Sequence, residues 1–217
     1  MWPHKSGNYY TGSSVPLTDF TKEIKAVKAG NLSEEFYGFY DGLSRNHIPF
    51  DVIDEEALKN IPPRCKLIIL PNAACLSEEE AARIRDFVKN GGNIISTFET
   101  SLYSEAGYKY DNFQLSDVFG AENPAEVFGP LNWDYLTPSD IEHFSTNKIN
   151  QKYLYAPSYG LITKAKSNAP VMFCKPLPGS YSGSPVVSEH PFLIDNSYGK
   201  GKSLYLAGTF GSSLNRF

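Results

Sequence analysis

The stretch KLIILPNAACLSEEEAARIRDFVKNGGNIISTFET (residues 66–100) decides the fold of this 217-residue chain. Apolar runs over 66–70 and 93–98 predict two strands that are buried on both faces. Between them, Ser77 and Glu80 have the capping-box spacing of a helix N-terminus, and two glycines at 91–92 suit its left-handed end. A helix between two buried strands is a right-handed βαβ crossover, so the sequence predicts an α/β fold.

The residues before this unit continue the alternation of helices and strands. We predict a short helix over 20–28, a longer one beginning at Ser33, a strand over 50–53 and a short helix capped by Asp54. The longer helix carries one apolar face: Phe36, Phe39, Tyr40 and Leu43. The expected architecture is therefore a flavodoxin-like, mostly parallel sheet with helices on both faces.

The second half of the chain is richer in strand signals. Residues 113–120 predict a short helix that ends at a glycine, and residues 121–150 have weak periodicity, so they are left irregular. Short strands follow between proline, glycine and serine clusters: 161–163, 171–174, 192–195 and 203–208, the last two joined by a glycine hairpin at 198–202. We expect this β-rich C-terminal extension to continue one edge of the same sheet.

Composition excludes several classes of function. The formal net charge is −4 and no Lys/Arg cluster occurs, which argues against a nucleic-acid or anionic-membrane surface. No apolar run approaches the ~18 residues of a membrane helix, and the first residues lack the apolar core of a signal peptide. Cys65, Cys75 and Cys174 are widely spaced, which favours reduced thiols and a cytoplasmic protein.

Ligands of open α/β sheets bind beyond the carboxyl ends of the strands. The side chains that the sequence places there are the ligand or interface candidates: Asn72, Cys75, Glu99, Thr100, Ser101 and Tyr103. Glu99, Thr100, Ser101 and Tyr103 directly follow the second strand. A binding site and a capped turn with a surface carboxylate explain these four residues equally well.

Cys75 is the candidate nucleophile, because it lies just ahead of a helix N-terminus that would lower a thiol pKa. A catalytic cysteine also needs a base, and the four histidines, at 4, 47, 143 and 190, are scattered along the chain. A lone loop cysteine is more often a small apolar filler. No His or Cys pair has metal-ligand spacing, so we expect neither a metal nor a cofactor.

Several segments together resemble a known family: GFYDGLSRNHIPFDVIDEE, the stretch from KLIILP to SLYSEAG, DNFQLSDVFG and the terminal YGKGKSLYLAG. They are similar to the class I glutamine-amidotransferase-like domain called the trimerisation domain in bacterial β-galactosidases and related glycoside hydrolases. The likeness covers residues 34–120 well and 190–210 moderately. It implies a flavodoxin-like sheet and a non-catalytic domain that follows a catalytic barrel, packs between subunits and helps shape the active-site mouth.

Two departures from the family pattern bear on function. Amidotransferases place cysteine at a tight elbow after the strand that is 93–97 here, where this chain has Phe98 and Glu99. Cys75 follows the preceding strand and does not inherit that role, so no catalytic residue is assigned. The family domain also opens with a full apolar strand and ends with a helix, so both ends look shortened. Either a few N-terminal residues fill the resulting gap in the sheet, or a partner chain covers it.

The sequence thus predicts one domain over residues 1–217, acting in oligomer assembly and shaping a neighbouring active site, with a homo-oligomer or a catalytic barrel domain as partner. One alternative is a carbohydrate or small-molecule binder that uses Glu99, Tyr103 and aromatic loops such as 133–135. The other is a cysteine-dependent hydrolase that uses Cys75.

Overall fold

A computed structural model describes residues 1–6, 32–131, 134–175 and 185–214. These ranges contain helices α1 (Leu32–Arg45), α2 (Glu78–Lys89), α3 (Ser116–Phe119) and α4 (Phe210–Leu214), with a 3₁₀ helix at Glu56–Asn60; residues 4–6 are helical as well. The strands are β1 (Leu67–Leu70), β2 (Asn93–Thr97), β3 (Ala121–Glu122), β4 (Val127–Phe128), β5 (Tyr135–Pro138), β6 (Leu154–Tyr155), β7 (Gly160–Leu161), β8 (Lys164–Ala165), β9 (Asn168–Lys175), β10 (Val186–Tyr198) and β11 (Gly201–Leu206). The helix predicted over 20–28 lies outside the described residues.

The main sheet is mixed, with strand order β1-β2-β11-β10-β9-β5-β6. β1, β2 and β11 are parallel, and the remaining pairs are antiparallel. The predicted α/β class is therefore confirmed, whereas the prediction of a mostly parallel sheet is wrong. The reason is the hairpin at Gly199, whose φ of 61° reverses the chain directly; antiparallel strands need only such a turn, whereas each parallel pair needs a long crossover.

The predicted βαβ unit is confirmed. β1 and β2 pair in parallel register, with Leu67 opposite Asn93. Ser77 and Glu80 form both hydrogen bonds of the capping box at the start of α2, and Gly91 ends the helix with a φ of 107°. The α2 face that carries Ala81, Ile84 and Val88 is buried.

Helix α1 packs closely against α4, near the other end of the chain. A Cβ atom on Gly38 would lie 1.7 Å from the carbonyl oxygen of Gly211, so only glycine allows this approach. Of the predicted apolar face of α1, Phe39 is buried, but Phe36, Tyr40 and Leu43 remain partly exposed.

The strand predicted over 50–53 is wrong, because this segment joins no sheet. A strand needs a neighbour for its ladder, and the outer edge of β1 pairs with no strand in the described ranges. Among the described residues, the first ones lie between the two segments: Met1 N donates to Ile69 O at 2.7 Å, and Trp2 N donates to Ile53 O at 2.6 Å. The N-cap residue of the 3₁₀ helix is Glu55 and not Asp54, but Asp54 Oδ1 accepts from Ala57 N in the first turn.

The β-rich second half extends the sheet beyond β11, as predicted. β5 and β6, which form the far edge, were not predicted. Outside the main sheet, β3 pairs with β8 and β4 with β7. The core between α3 and the sheet is aromatic. The rings of Phe113, Phe119 and Tyr205 contact one another, with ring centroids 5.1–5.7 Å apart. None of the helices in the described ranges has the length and apolar character required to span a membrane.

Candidate functional site beyond β1 and β2

The loops that follow β1 and β2 pair with each other and continue the strand pairing. Tyr103 N donates to Ala74 O at 3.0 Å, and Leu76 N donates to Tyr103 O at 3.2 Å. This places Cys75 directly opposite Tyr103 in a parallel bridge. The sequence argument that both loops meet at one end of the sheet is thus realised in the structure.

The six candidate side chains meet in the interior and not at an open surface. Exposed fractions are 8% for Tyr103, 6% for Glu99 and at most 1% for the others. Residues near the N-terminus cover part of this region: Cys75 N donates to Ser6 Oγ at 2.9 Å, and Lys5 binds Glu80 and Glu105 at 2.8 and 3.1 Å. Any ligand role for these residues would require access that the described conformation does not provide.

Asn72 fixes the geometry between the two loops. Its backbone is left-handed, with a φ of 46°, which asparagine tolerates better than most residues. Its N–H donates to Thr97 Oγ1 at 3.0 Å, and its Oδ1 accepts from Glu99 N at 3.2 Å. The Thr100 hydroxyl donates to Thr97 O at 2.6 Å, and Ser101 Oγ accepts from Leu115 N at 3.3 Å. These contacts satisfy backbone groups, which is a structural task.

A hydrogen bond joins the side chains of Glu99 and Tyr103. The Tyr103 hydroxyl donates to Glu99 Oε1 at 2.8 Å. A buried carboxylate is tolerated when donors satisfy it, and this phenol is one such donor. The pair therefore stabilises the loop between the two residues.

The turn immediately after β2 is occupied by a buried phenylalanine. Phe98 has a φ of 53° and no exposed surface, a left-handed conformation that costs about 1–3 kcal/mol for a non-glycine residue. Two hydrogen bonds hold it: its N–H donates to Leu206 O at 2.8 Å, and its carbonyl accepts from the Tyr205 hydroxyl at 2.5 Å. Burial, with a smaller contribution from the charge of Glu99, raises the pKa of Tyr205 well above its ordinary value, so the hydroxyl remains a donor.

A buried acid that sequence reasoning did not single out joins this network from α1. Glu35 is 1% exposed and accepts from Gly211 N and Ser212 N, each at 2.9 Å, and from the Thr97 side chain. Burial raises the pKa of this carboxyl to about 7, although the hydrogen bonds act in the opposite direction. The only sequence signal was its position one turn before Phe39.

A second polar cluster was also not predicted. His143 Nε2 lies 2.8 Å from Asp195 Oδ2, and His143 Nδ1 lies 2.7 Å from Ser145 Oγ. The residues are 52 positions apart, and no local motif marks them. The contacts fasten the loop after β5 onto β10. In the described part of the chain, no group of three His, Cys, Asp or Glu side chains could hold a metal ion.

The comparisons with known proteins agree with the resemblance in the sequence. The family model of the β-galactosidase trimerisation domain matches residues 20–216. β-Galactosidase GalA of Bacillus licheniformis is 26% identical over 193 residues, which are 88% of this chain and 26% of that protein. β-Galactosidase BbgII of Bifidobacterium bifidum is 26% identical over 181 residues, 80% of this chain and 24% of that protein.

A solved structure shares the fold. Gan42B, a GH42 β-galactosidase of G. stearothermophilus, superposes with a TM-score of 0.67 at 21% identity over 97% of this chain and 28% of that one. The fold is therefore one that also occurs as a domain within this β-galactosidase. The chain belongs to the β-galactosidase trimerisation domain family, which confirms the predicted trimerisation-domain resemblance. The class I glutamine-amidotransferase-like type stays a prediction. The chain spans about a quarter of the length of the curated relatives it matches.

Proposed function

We propose that this chain is a non-catalytic assembly domain of a β-galactosidase-like glycoside hydrolase, which holds subunits together and shapes a neighbouring active site. The observation that carries the proposal is the turn after β2, where a reactive side chain would stand in a hydrolase of this type. Phe98 fills it and is fully buried. The surrounding polar groups satisfy backbone hydrogen bonds and are themselves buried.

We further infer that the region from β1 to β2, with β11, is of the class I glutamine-amidotransferase-like, flavodoxin-like type. The three parallel strands in the order β1-β2-β11 support this inference, as does the left-handed residue at the elbow. The antiparallel strands are then an extension, and we propose that residues 1–217 form one domain.

The far edge of the sheet offers an assembly surface. β6 is the last strand, and its Tyr155 is 58% exposed and stacks on Tyr135 at 5.9 Å; the ring of Tyr153 lies 5.9 Å from that of Tyr135. Exposed aromatic clusters and open strand edges are typical of protein–protein contacts. We propose that this tyrosine edge (135, 153 and 155) contacts another subunit or the catalytic barrel domain.

The free thiols of the three cysteines support a cytoplasmic location. All three lie in the described ranges, and no disulfide joins them, as is usual in a reducing compartment. The carbohydrate-binding and cysteine-hydrolase alternatives remain predictions. The burial of Glu99, Tyr103 and Cys75 favours neither of them.

Sedimentation velocity over a range of micromolar concentrations tests the assembly role. We expect reversible or stable self-association, with the sedimentation coefficient rising with concentration or already above that of one chain. A monomer throughout this range would contradict an assembly role for the chain by itself.

A further inference from the structure

The C-terminal end of α2 carries the one asparagine of the chain that is followed by glycine, Asn90. An asparagine in this context can lose its side-chain amide without an enzyme. The backbone nitrogen of the next residue attacks the side-chain carbonyl carbon, Cγ, and glycine obstructs this attack least because it has no Cβ. Asn90 is exposed, so water and hydroxide can reach it.

The folded conformation keeps the reacting atoms of Asn90 and Gly91 apart. Asn90 has a ψ of 4°, so the nitrogen of Gly91 eclipses the nitrogen of Asn90. Tetrahedral geometry at Cα then turns the Gly91 nitrogen roughly 120° away from Cβ about the Cα–C bond, whereas closure of a five-membered ring needs it to eclipse Cβ. The helix also holds both reacting groups: Gly91 N donates to Val88 O at 3.0 Å, and Asn90 Nδ2 donates to Asp86 O at 2.8 Å.

The hairpin between β10 and β11 clamps this end of α2 from the other side. Lys200 N donates to Lys89 O at 3.0 Å. A Cβ atom on Gly199 would lie 2.6 Å from the Cα of Lys89. A Cβ atom on Gly201 would lie 1.9 Å from the carbonyl oxygen of Gly92. Because the two backbones are in contact, the turn over residues 89–92 can rotate only when the helix end and the hairpin separate.

We propose that Asn90 is a deamidation site that the fold keeps closed, and that it reacts when the end of α2 separates from the hairpin. In the open chain the nitrogen of Gly91 bonds to Asn90 Cγ, its proton passes to solvent base, and Nδ2 leaves as ammonia. Water then opens the cyclic imide, at Cγ to give aspartate or at the backbone carbonyl to give isoaspartate. This inference does not depend on the assembly role.

The products do not restore the closed turn. A carboxylate at position 90 cannot donate to Asp86 O, and it adds negative charge at a helix C-terminus, where the dipole disfavours it. It also lies four residues from the carboxylate of Asp86, a spacing at which like charges repel. Isoaspartate lengthens the backbone at a point where the hairpin is in contact with it. Each reaction therefore makes further opening easier, and the modification accumulates as a record of local unfolding.

Peptide mapping by mass spectrometry, after incubation of the protein at mildly alkaline pH, measures the conversion of Asn90. The same chain in a denaturing concentration of urea gives the rate of the open form. We expect conversion to be at least ~10-fold slower in buffer than in urea, because only molecules that have opened locally react. Asn196, which is followed by serine, is the internal control and should convert more slowly than Asn90 in urea.

Two matched variants test the clamp. Gly199→Ala and Gly107→Ala each add a methyl group at a glycine of positive φ, 61° and 83° respectively. The methyl group at position 199 presses on Lys89, so this variant should convert Asn90 at least ~3-fold faster than wild type in buffer. Gly107→Ala, in the loop that follows Tyr103, should leave the rate unchanged.

Equal rates of Asn90 conversion in buffer and in urea would overturn the proposal, because the fold would then give no protection. Absence of conversion in urea, or equal rates in the two variants, would do the same. If Gly199→Ala does not fold, the wild-type rate across a urea series decides instead. A rate that rises with the fraction of open molecules supports the site, and a rate independent of urea overturns it.

Discussion

The hydroxyl of Tyr205, in β11, donates a 2.5 Å hydrogen bond to the carbonyl of Phe98, in the turn after β2. Both residues are fully buried. The bond fixes the left-handed turn after β2, and it links that turn to the aromatic core of Phe113 and Phe119.

Tyr205→Phe should destabilise the protein by about 1–3 kcal/mol, because it leaves the buried Phe98 carbonyl without its donor. Urea denaturation measures the change. Tyr108→Phe, at an exposed phenol, is the control and should lie within about 0.5 kcal/mol of wild type. Equal stability of the two variants would show that the bond does not hold the turn.

Glu35 should make stability depend on pH. Its folded-state pKa of about 7 exceeds the ordinary 4.5, so the folded state binds a proton that the unfolded state has lost. Stability therefore falls as pH rises between these values, by up to roughly 3 kcal/mol.

Glu35→Gln should remove this slope, so that the difference in unfolding free energy between variant and wild type changes from pH 4.5 to pH 7 in favour of the variant. Burial lowers the pKa of the Met1 amine to about 6, which gives the opposite slope at higher pH but cancels in this comparison. A difference that is constant with pH would contradict the proposed titration of Glu35.

Ser77→Ala should cost about 1 kcal/mol, because Ser77 Oγ accepts from Glu80 N at the start of α2. Thermal unfolding compares it with Ser44→Ala, an exposed serine in the last turn of α1, which should be neutral or slightly stabilising. A Ser77→Ala melting temperature equal to that of wild type would mean that the capping box adds nothing.

Tyr155→Asp should weaken self-association if the tyrosine edge (135, 153 and 155) is the contact surface, because it places a charge where the proposed interface would bury an aromatic ring. Tyr108→Asp is the matched control. Sedimentation equilibrium gives the self-association constants of both variants. A constant for Tyr155→Asp equal to that of wild type would locate the interface elsewhere.

Local signals explain what the sequence could predict. The βαβ unit was predictable because the Ser77–Glu80 spacing and the two apolar runs each lie within a few residues. The strand over 50–53 was over-predicted because its apolar pattern says nothing about whether a neighbouring strand is present. β5 was missed because its four residues do not alternate; Leu136 and Thr137 are both buried.

The candidate site, too, could be predicted only in part from the sequence. The sequence located the two loops, because the ends of strands can be predicted from apolar runs. It could not reveal that the six side chains are buried or that Glu35 joins them, since both facts depend on contacts with distant residues, such as Gly211 in α4 and Ser6 near the N-terminus.

The central claim is that this chain assembles and does not catalyse. Light scattering on the purified protein at micromolar concentration, coupled to size exclusion, measures its mass directly. The account predicts a mass of at least twice the 24.1 kDa of one chain. A mass of one chain at every concentration, together with turnover of a chromogenic galactoside that Cys75→Ala abolishes, would contradict it.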